Sequence, residues 1–498
     1  MQRQLLKQPS ILNQLIVVCG LGLLLGITSI WLPPYFVLVG IGGVIYLIVA
    51  WSWPEIALLS ILLFTSTVFN IYTFPSIPIG IGHLVISDIL LFALIGIILL
   101  RGMVKSSSYF IHTSLDMPLL AFYGTAILAT AIGIFNSRVT FNQSLGEVRI
   151  VSLYLTFFIV TNLVRNEKQV RRLLNGIFLL AFFVALMMIV QYLLGNSIII
   201  IKTARVETLE TAGVIESGVT RILPPGQSLV VVVFISQVVL LIFDRTPSSY
   251  LSRFFLAGAT GLAVLLTFTR GYWVAVILAL FFVGLLVSIR DKVKYVKIVF
   301  WTVLIGAFIL TPFLDVKGSQ VGKLIDGAMV RMSTMFNPDI TKEESLTYRY
   351  IENEYVFPQI VSHPFFGLGL GANYRPRDPR LDFSKSLASS LTWYIHNGYY
   401  WVMVKIGLIG FLFFMYFFLR FVKRGFQNWK RISDPFLKGI VLSFAVTILS
   451  LQFTVFTSPI FTTTWWAPII GIMLGTSEVI LRICRDPLLD VQTLEKLV

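Results

Sequence analysis

Residues 396–419 read HNGYYWVMVKIGLIGFLFFMYFFL, opening on His396, Asn397 and Gly398 and ending against Arg420, Lys423 and Arg424. A helix of about 20 apolar residues crosses the ~30 Å hydrocarbon layer of a bilayer. A polar start, an apolar body and a basic end describe a membrane-spanning helix whose basic end stays in the cytoplasm. Outward from this stretch, similar runs lie at 11–30, 34–50, 55–73, 84–100, 117–135, 147–164, 173–194, 227–243, 254–269, 272–289, 297–313, 436–456 and 462–481. The expected fold is therefore all-α, a polytopic integral membrane protein with about 14 transmembrane helices.

Composition agrees. Over 498 residues, 56% are hydrophobic and 13% charged, with a mean hydropathy of +0.85, against about 45–50% apolar and 25% charged in a soluble domain. A string of soluble domains is excluded. The net charge of +15 would suggest nucleic acid in a soluble chain. Here the Lys and Arg cluster in alternate connections: Arg101 and Lys105; Arg165, Lys168, Arg171 and Arg172; Arg245 and Arg253; Arg290, Lys292, Lys294 and Lys297; Arg420 to Arg431; Arg482 and Arg485. That pattern predicts topology and contact with anionic lipids, with both termini cytoplasmic and no nucleic-acid partner. Cys19 and Cys484 have no framework around them, so neither a disulfide nor a metal site is expected. The run at 11–30 lacks a small-residue cleavage site and is expected to stay as the first span.

The opposite connections are short except for two outer loops, 195–226 and 314–395. The segment 147–164 is ambiguous, because Glu147 and Arg149 at its start suit a span and an amphipathic or re-entrant piece equally. In the second loop, Thr341 and Glu344 form a capping-box pattern, and Tyr348, Ile351 and Tyr355 recur on one face. The spacing predicts a surface helix with Arg349 and Glu352 on its other faces, ended by Pro358 or by His363-Pro364. The run Gly367-Leu368-Gly369-Leu370-Gly371 reads as a flexible turn, since it lacks the strand and helix of a dinucleotide fingerprint.

Five groups of residues stand out. His396 sits where a polar loop becomes a span; imidazole suits proton transfer near neutrality, although an interfacial His between aromatics can equally be a satisfied boundary residue. Arg270, in Thr269-Arg270-Gly271, lies in a connection so short that its guanidinium must sit at the membrane boundary, either gripping a phosphate or snorkelling. Arg349 gains interest from Tyr348, Tyr350 and Tyr355 beside it. In the first outer loop Lys202, Arg205 and Arg221 mix with Glu207, Glu210 and Glu216, for which a covering or substrate-shaping role is expected. Asp88 is placed to serve as a proton relay in a transporter or as an interfacial residue. No P-loop, HExxH or CxxC is present, and His83, His112 and His363 are scattered.

In order along the chain, Thr269-Arg270-Gly271, Arg349, Pro364 with Gly367 to Gly371, and His396-Asn397-Gly398-Tyr399 leading into Lys405-Ile406-Gly407-Leu408-Ile409-Gly410 resemble the signature region of the O-antigen ligase and O-antigen polymerase superfamily of membrane glycosyltransferases. The resemblance covers about 254–420. It divides the chain into N-terminal helices (1–253), the signature region with the periplasmic loop 314–395, and C-terminal helices (421–498). It implies a type C glycosyltransferase-like fold in the bacterial inner membrane with the active site facing the periplasm. The implied donor is a glycan on undecaprenyl pyrophosphate and the acceptor a glycan or lipid A-core, with a chain-length regulator as a further partner. Carried over, Arg270 and Arg349 would hold the pyrophosphate and His396 would be the base, without a metal or cofactor and with inversion; Arg221, Asn397 and Tyr399 would support them. Where the family often has Glu in the following span, this chain has Lys405.

A long first half and a substantial outer loop favour a polymerase over a ligase. The rival reading is a transporter or flippase for lipid-linked sugars or a small anion, with Asp88 as coupling site. It predicts inverted repeats and broken helices near mid-membrane, and neither is evident in the sequence.

Overall fold

The computed structural model describes residues 34–69, 74, 76–78, 82–104, 110–211, 214–243, 247–310, 320–336, 344–380 and 392–485. Its helices are α1 (Pro34–Ser52), α2 (Pro54–Thr65), α3 (Ile86–Val104), α4 (Asp116–Phe135), α5 (Phe141–Ser152), α6 (Thr156–Leu163), α7 (Glu167–Leu194) and α8 (Gln227–Phe243). They continue as α9 (Pro247–Leu266), α10 (Arg270–Leu286), α11 (Ile289–Leu310), α12 (Gln320–Phe336), α13 (Glu344–Ser362), α14 (Gly398–Asn428), α15 (Pro435–Thr454) and α16 (Ala467–Arg485). Two antiparallel strand pairs interrupt them: β1 (Ile77–Pro78) with β2 (His83–Leu84), and β3 (Arg205–Thr211) with β4 (Val214–Leu223). The chain is thus mostly helical rather than strictly all-α.

Eight helical segments among the described residues are long and apolar enough to cross a membrane, and Gly40–Ser52, Pro54–Thr65, Gln227–Phe243 and Arg270–Leu286 are shorter apolar helices. The sequence run at 11–30 lies outside the described residues. Helix suits such segments because hydrocarbon offers no partner to a free backbone N–H or C=O. Met117, Ile127 and Phe135 of α4 stand 76%, 70% and 90% exposed, an apolar face that lipid solvates and water would not. The chain is a multi-pass membrane protein. The ambiguous 147–164 segment belongs to the apolar stretch Phe141–Leu163, long enough to span, with a 3-10 turn at Leu153–Leu155 joining α5 to α6. A capping box between Thr140 and Gln143 starts it.

The two kinds of connection lie at opposite ends of the bundle. At one end, Arg171 pairs with Asp434 at 2.7 Å and, with Arg253, lies over the Phe436 ring; Arg424, near the end of α14, makes two 2.8 Å bonds to Glu478. At the other, the β3–β4 hairpin fills the first outer loop, and α12 packs on it so closely that a Cβ on Gly327 would approach Val219 to 2.8 Å. The hairpin is a feature that the sequence pattern did not reveal. Buried Gln191 anchors its approach, accepting from the N–H groups of Ile200 and Ile201 and donating to the carbonyls of Gly195 and Ile198.

The glycine run is not a flexible turn. Residues 367–372 are buried, and Gly367 enters a break in α14. There Gly407 has φ +84 and ψ 178, a conformation that costs a side-chain-bearing residue dearly. The break frees backbone groups, and the loop satisfies them: Leu368 N donates to Val404 O at 2.8 Å, Gly369 N to Lys405 O at 3.0 Å, and Leu408 N to Pro364 O at 2.7 Å. A Cβ on Gly367 would lie 2.5 Å from Val404 O, so glycine is required for backbone to meet backbone. The chain therefore does contain a broken helix, contrary to the sequence reading. Glu147 fixes the plug from α5: its carboxylate accepts from Gly371 N and Trp401 Nε1 and pairs with Lys405 Nζ at 3.2 Å, while Lys405 also donates to Ala372 O. The side chains of Lys405 and Glu147 are 0% and 3% exposed.

Candidate functional site

Helix α13 runs through Pro358 to Ser362 and stops at His363-Pro364, the second of the two expected stops. Thr341 lies outside the described residues. Tyr348 and Ile351 are buried and pack with Tyr355, as the periodicity predicted. Glu352, however, is also buried, at 3% exposure, and turns toward the start of α14 rather than outward. Its spacing from Tyr348 and Tyr355, four and three residues, puts it beside the apolar stripe; that signal was available in the sequence.

His396 precedes the helix that Asn397 caps. Asn397 Oδ1 accepts from Tyr399 N at 2.9 Å and Tyr400 N at 3.2 Å, and Gly398 N donates to Val455 O at 3.0 Å. Tyr399 donates its hydroxyl proton to Gln452, with Oη 2.8 Å from the backbone oxygen and 2.7 Å from Oε1, and packs on Phe456 with ring centroids 4.8 Å apart. Asn397 thus fixes the start of α14, and Tyr399 anchors it to α15. Held this way, His396 presents Nδ1 to Glu352 Oε1 at 2.8 Å and its backbone N–H to Glu352 Oε2 at 3.1 Å. Its side chain is 19% exposed, so an edge of the imidazole is open to the outside. Tyr394 packs edge-on against the ring, with centroids 4.9 Å apart.

Arg349 lies one turn before Glu352 on α13 and donates from Nη2 to Thr457 O at 3.0 Å. Thr457 also faces the start of α10: a Cβ on Gly271 would lie 3.9 Å from its Oγ1. The turn after α15 therefore joins the two segments that carry Arg349 and Arg270. Arg270 is the first residue of α10 and half-buried. Electrostatics tie the same elements together. Burial, then the charge of Glu352, raises the Tyr394 phenol well above its ordinary value, with Arg349 opposing. Tyr374 is raised for the same two reasons, with Arg375 opposing.

Arg221 lies across the hairpin from Glu207 and has its donors engaged: Nη1 to Glu207 Oε1 at 3.2 Å, Nε to Thr267 O at 3.0 Å and Nη2 to Thr269 Oγ1 at 3.3 Å. It braces the turn before Arg270, where Phe268 takes φ +45, a costly conformation for a bulky residue. Burial lowers the Arg221 guanidinium's proton affinity, and the Glu207 charge opposes that shift.

Asp88 is not placed as a free relay. It accepts two bonds from Arg149 Nε, at 2.9 and 3.1 Å, and one from Val85 N, while Arg149 also reaches His83 O at 2.8 Å. This pair ties α3 to α5. Among the described residues no group of three His, Cys, Asp or Glu side chains is arranged to hold a metal ion.

Residues 254–415 match the family model described as O-antigen ligase. The match spans roughly a third of the chain and takes in Arg270, Arg349, Glu352, the glycine run and His396. It supports the O-antigen ligase and polymerase superfamily as the relationship of this region. No curated protein is significantly similar to the chain.

Proposed function

We propose that this protein is a bacterial inner-membrane glycosyltransferase that moves a glycan from undecaprenyl pyrophosphate to a sugar hydroxyl at the periplasmic face, as a polysaccharide polymerase or an O-antigen ligase. The observation that carries the reading is the carboxylate-held imidazole of His396, partly open and set beside the two arginine-bearing segments that meet at Thr457. The family match supports the chemistry.

Displacing a lipid pyrophosphate at an anomeric carbon requires charge stabilisation on the leaving group and a base for the incoming hydroxyl. Arg270 and Arg349 supply fixed positive charge, which strengthens where water is thinned out. Guanidinium stays protonated across the working pH range and can grip phosphate bidentately. His396 takes the hydroxyl proton as the new C–O bond forms and the pyrophosphate departs with its electron pair. A single in-line displacement inverts the anomeric centre. Asn397 and Tyr399 fix the helix start, and Arg221 fixes the turn that carries Arg270.

The transporter reading has less support, because its coupling acid Asp88 is engaged by Arg149 in a pair that ties α3 to α5. The broken helix does not restore it, since the glycine loop satisfies backbone groups freed at Gly407. The test is incubation of purified protein in nanodiscs with one synthetic undecaprenyl-pyrophosphate oligosaccharide and no other acceptor. A ladder of repeats identifies a polymerase. Transfer only after addition of lipid A-core identifies a ligase, and no transfer in either case refutes the proposal.

A further inference from the structure

Glu352 has a role that the family resemblance did not assign. Its carboxylate grips His396 at two atoms, the ring Nδ1 at 2.8 Å and the backbone N at 3.1 Å. An ionised carboxylate only accepts, so the Nδ1 it faces carries the proton. The Glu352 charge acts on two phenols, Tyr394 from the approach to α14, on which Arg349 and Tyr272 of α10 also act, and Tyr374 from the loop after the glycine run, on which Arg375 also acts. Both loop phenols stay protonated near neutrality and Glu352 is buried, so none of them competes with the partly open imidazole for the hydroxyl proton.

We infer that Glu352 is the positioning residue of this site: it holds His396 in the tautomer protonated at Nδ1, so that the Nε2 lone pair is offered to the acceptor hydroxyl. The inference rests on the glycosyl-transfer reading. The hydroxyl proton passes to Nε2, the sugar oxygen bonds to the anomeric carbon, and the bond from that carbon to the phosphate oxygen breaks with its electrons leaving on pyrophosphate. Glu352 stabilises the resulting imidazolium, which then returns its proton to water.

The double contact makes Glu352→Gln a sharp test. The backbone N–H of His396 must keep an acceptor, so the glutamine oxygen is drawn to it and the amide NH2 faces Nδ1. That reverses the tautomer. The sequence has four histidines, so 15N-histidine NMR of the protein in nanodiscs at pH 8, with His396→Asn for assignment, can read it. Wild type should show protonated Nδ1 and unprotonated Nε2 at His396, and Glu352→Gln the reverse. With a synthetic undecaprenyl-pyrophosphate oligosaccharide, kcat of Glu352→Gln should fall by about 10²–10⁴-fold while the donor KM is unchanged.

A Glu352→Gln protein with the wild-type tautomer, or with wild-type kcat, overturns the inference. If that variant does not fold, Glu352→Asp replaces it: it should keep Nδ1 protonated and lose part of kcat, and a reversed tautomer at full kcat is the contrary result. Full turnover by His396→Ala would instead refute the glycosyl-transfer site itself, whatever tautomer His396 adopts.

Discussion

Nine residues apart, His396 and Lys405 each meet a buried glutamate, and the two pairs do different things. Glu147 and Lys405 are sealed, with side chains 3% and 0% exposed, and every contact they make goes to protein: the Gly371 N–H, the Ala372 carbonyl and the Trp401 indole. Glu352 is equally buried, but its partner His396 is 19% exposed and has a second ring nitrogen. A closed pair must satisfy all its groups internally and so holds architecture. A half-open pair leaves one ring nitrogen free to meet whatever approaches, the role proposed for His396. The same combination of acid and base becomes scaffold or chemistry according to what covers it.

The largest effects fall on His396 and Lys405. His396→Ala should lower turnover by about 10³-fold or more while donor binding remains that of wild type, and it should cost only about 1–3 kcal/mol of stability, because Glu352 keeps the backbone N–H as a partner; single-turnover assays and calorimetry read the two quantities. Lys405→Met should do the converse. Leaving Glu147 buried without its cation costs about 3–5 kcal/mol, so the protein should unfold earlier in heat or denaturant, yet turn over normally per folded molecule.

Smaller effects sharpen the picture around the open pair. On the proposed reading, Arg270→Ala and Arg349→Ala each remove a charge-assisted contact to the leaving group, worth about 1.5–3 kcal/mol. Donor affinity should weaken by roughly 10- to 100-fold, measurable by binding of the lipid-linked oligosaccharide; unchanged affinity in Arg270→Ala would remove it from the pyrophosphate site. Tyr399→Phe should cost only about 1 kcal/mol of stability, the net value of a buried hydrogen bond, with little change in turnover, because its hydroxyl goes to Gln452.

Much of this was legible from residue types. Long apolar runs, alternating basic connections and the polar-to-apolar switch at His396 follow from the cost of placing charge and free backbone in hydrocarbon. So did the stripe of Tyr348, Ile351 and Tyr355, which follows helical period. What escaped were features created by contacts distant in sequence. Gly367 to Gly371 reads as flexible because glycine alone carries no pattern; its rigidity comes from backbone bonds to a break in α14 about 40 residues later. Glu352 reads as solvated because its partner lies 44 residues away. Asp88 reads as a lone acid until Arg149 is brought to it, 61 residues on.

The most direct test of the distinction is single-turnover transfer from one synthetic undecaprenyl-pyrophosphate oligosaccharide, measured per folded molecule in nanodiscs for wild type, His396→Ala and Lys405→Met together. Wild-type rates are expected for Lys405→Met and none detectable for His396→Ala. A His396→Ala protein that transfers normally, or a folded Lys405→Met protein that does not, would contradict the distinction.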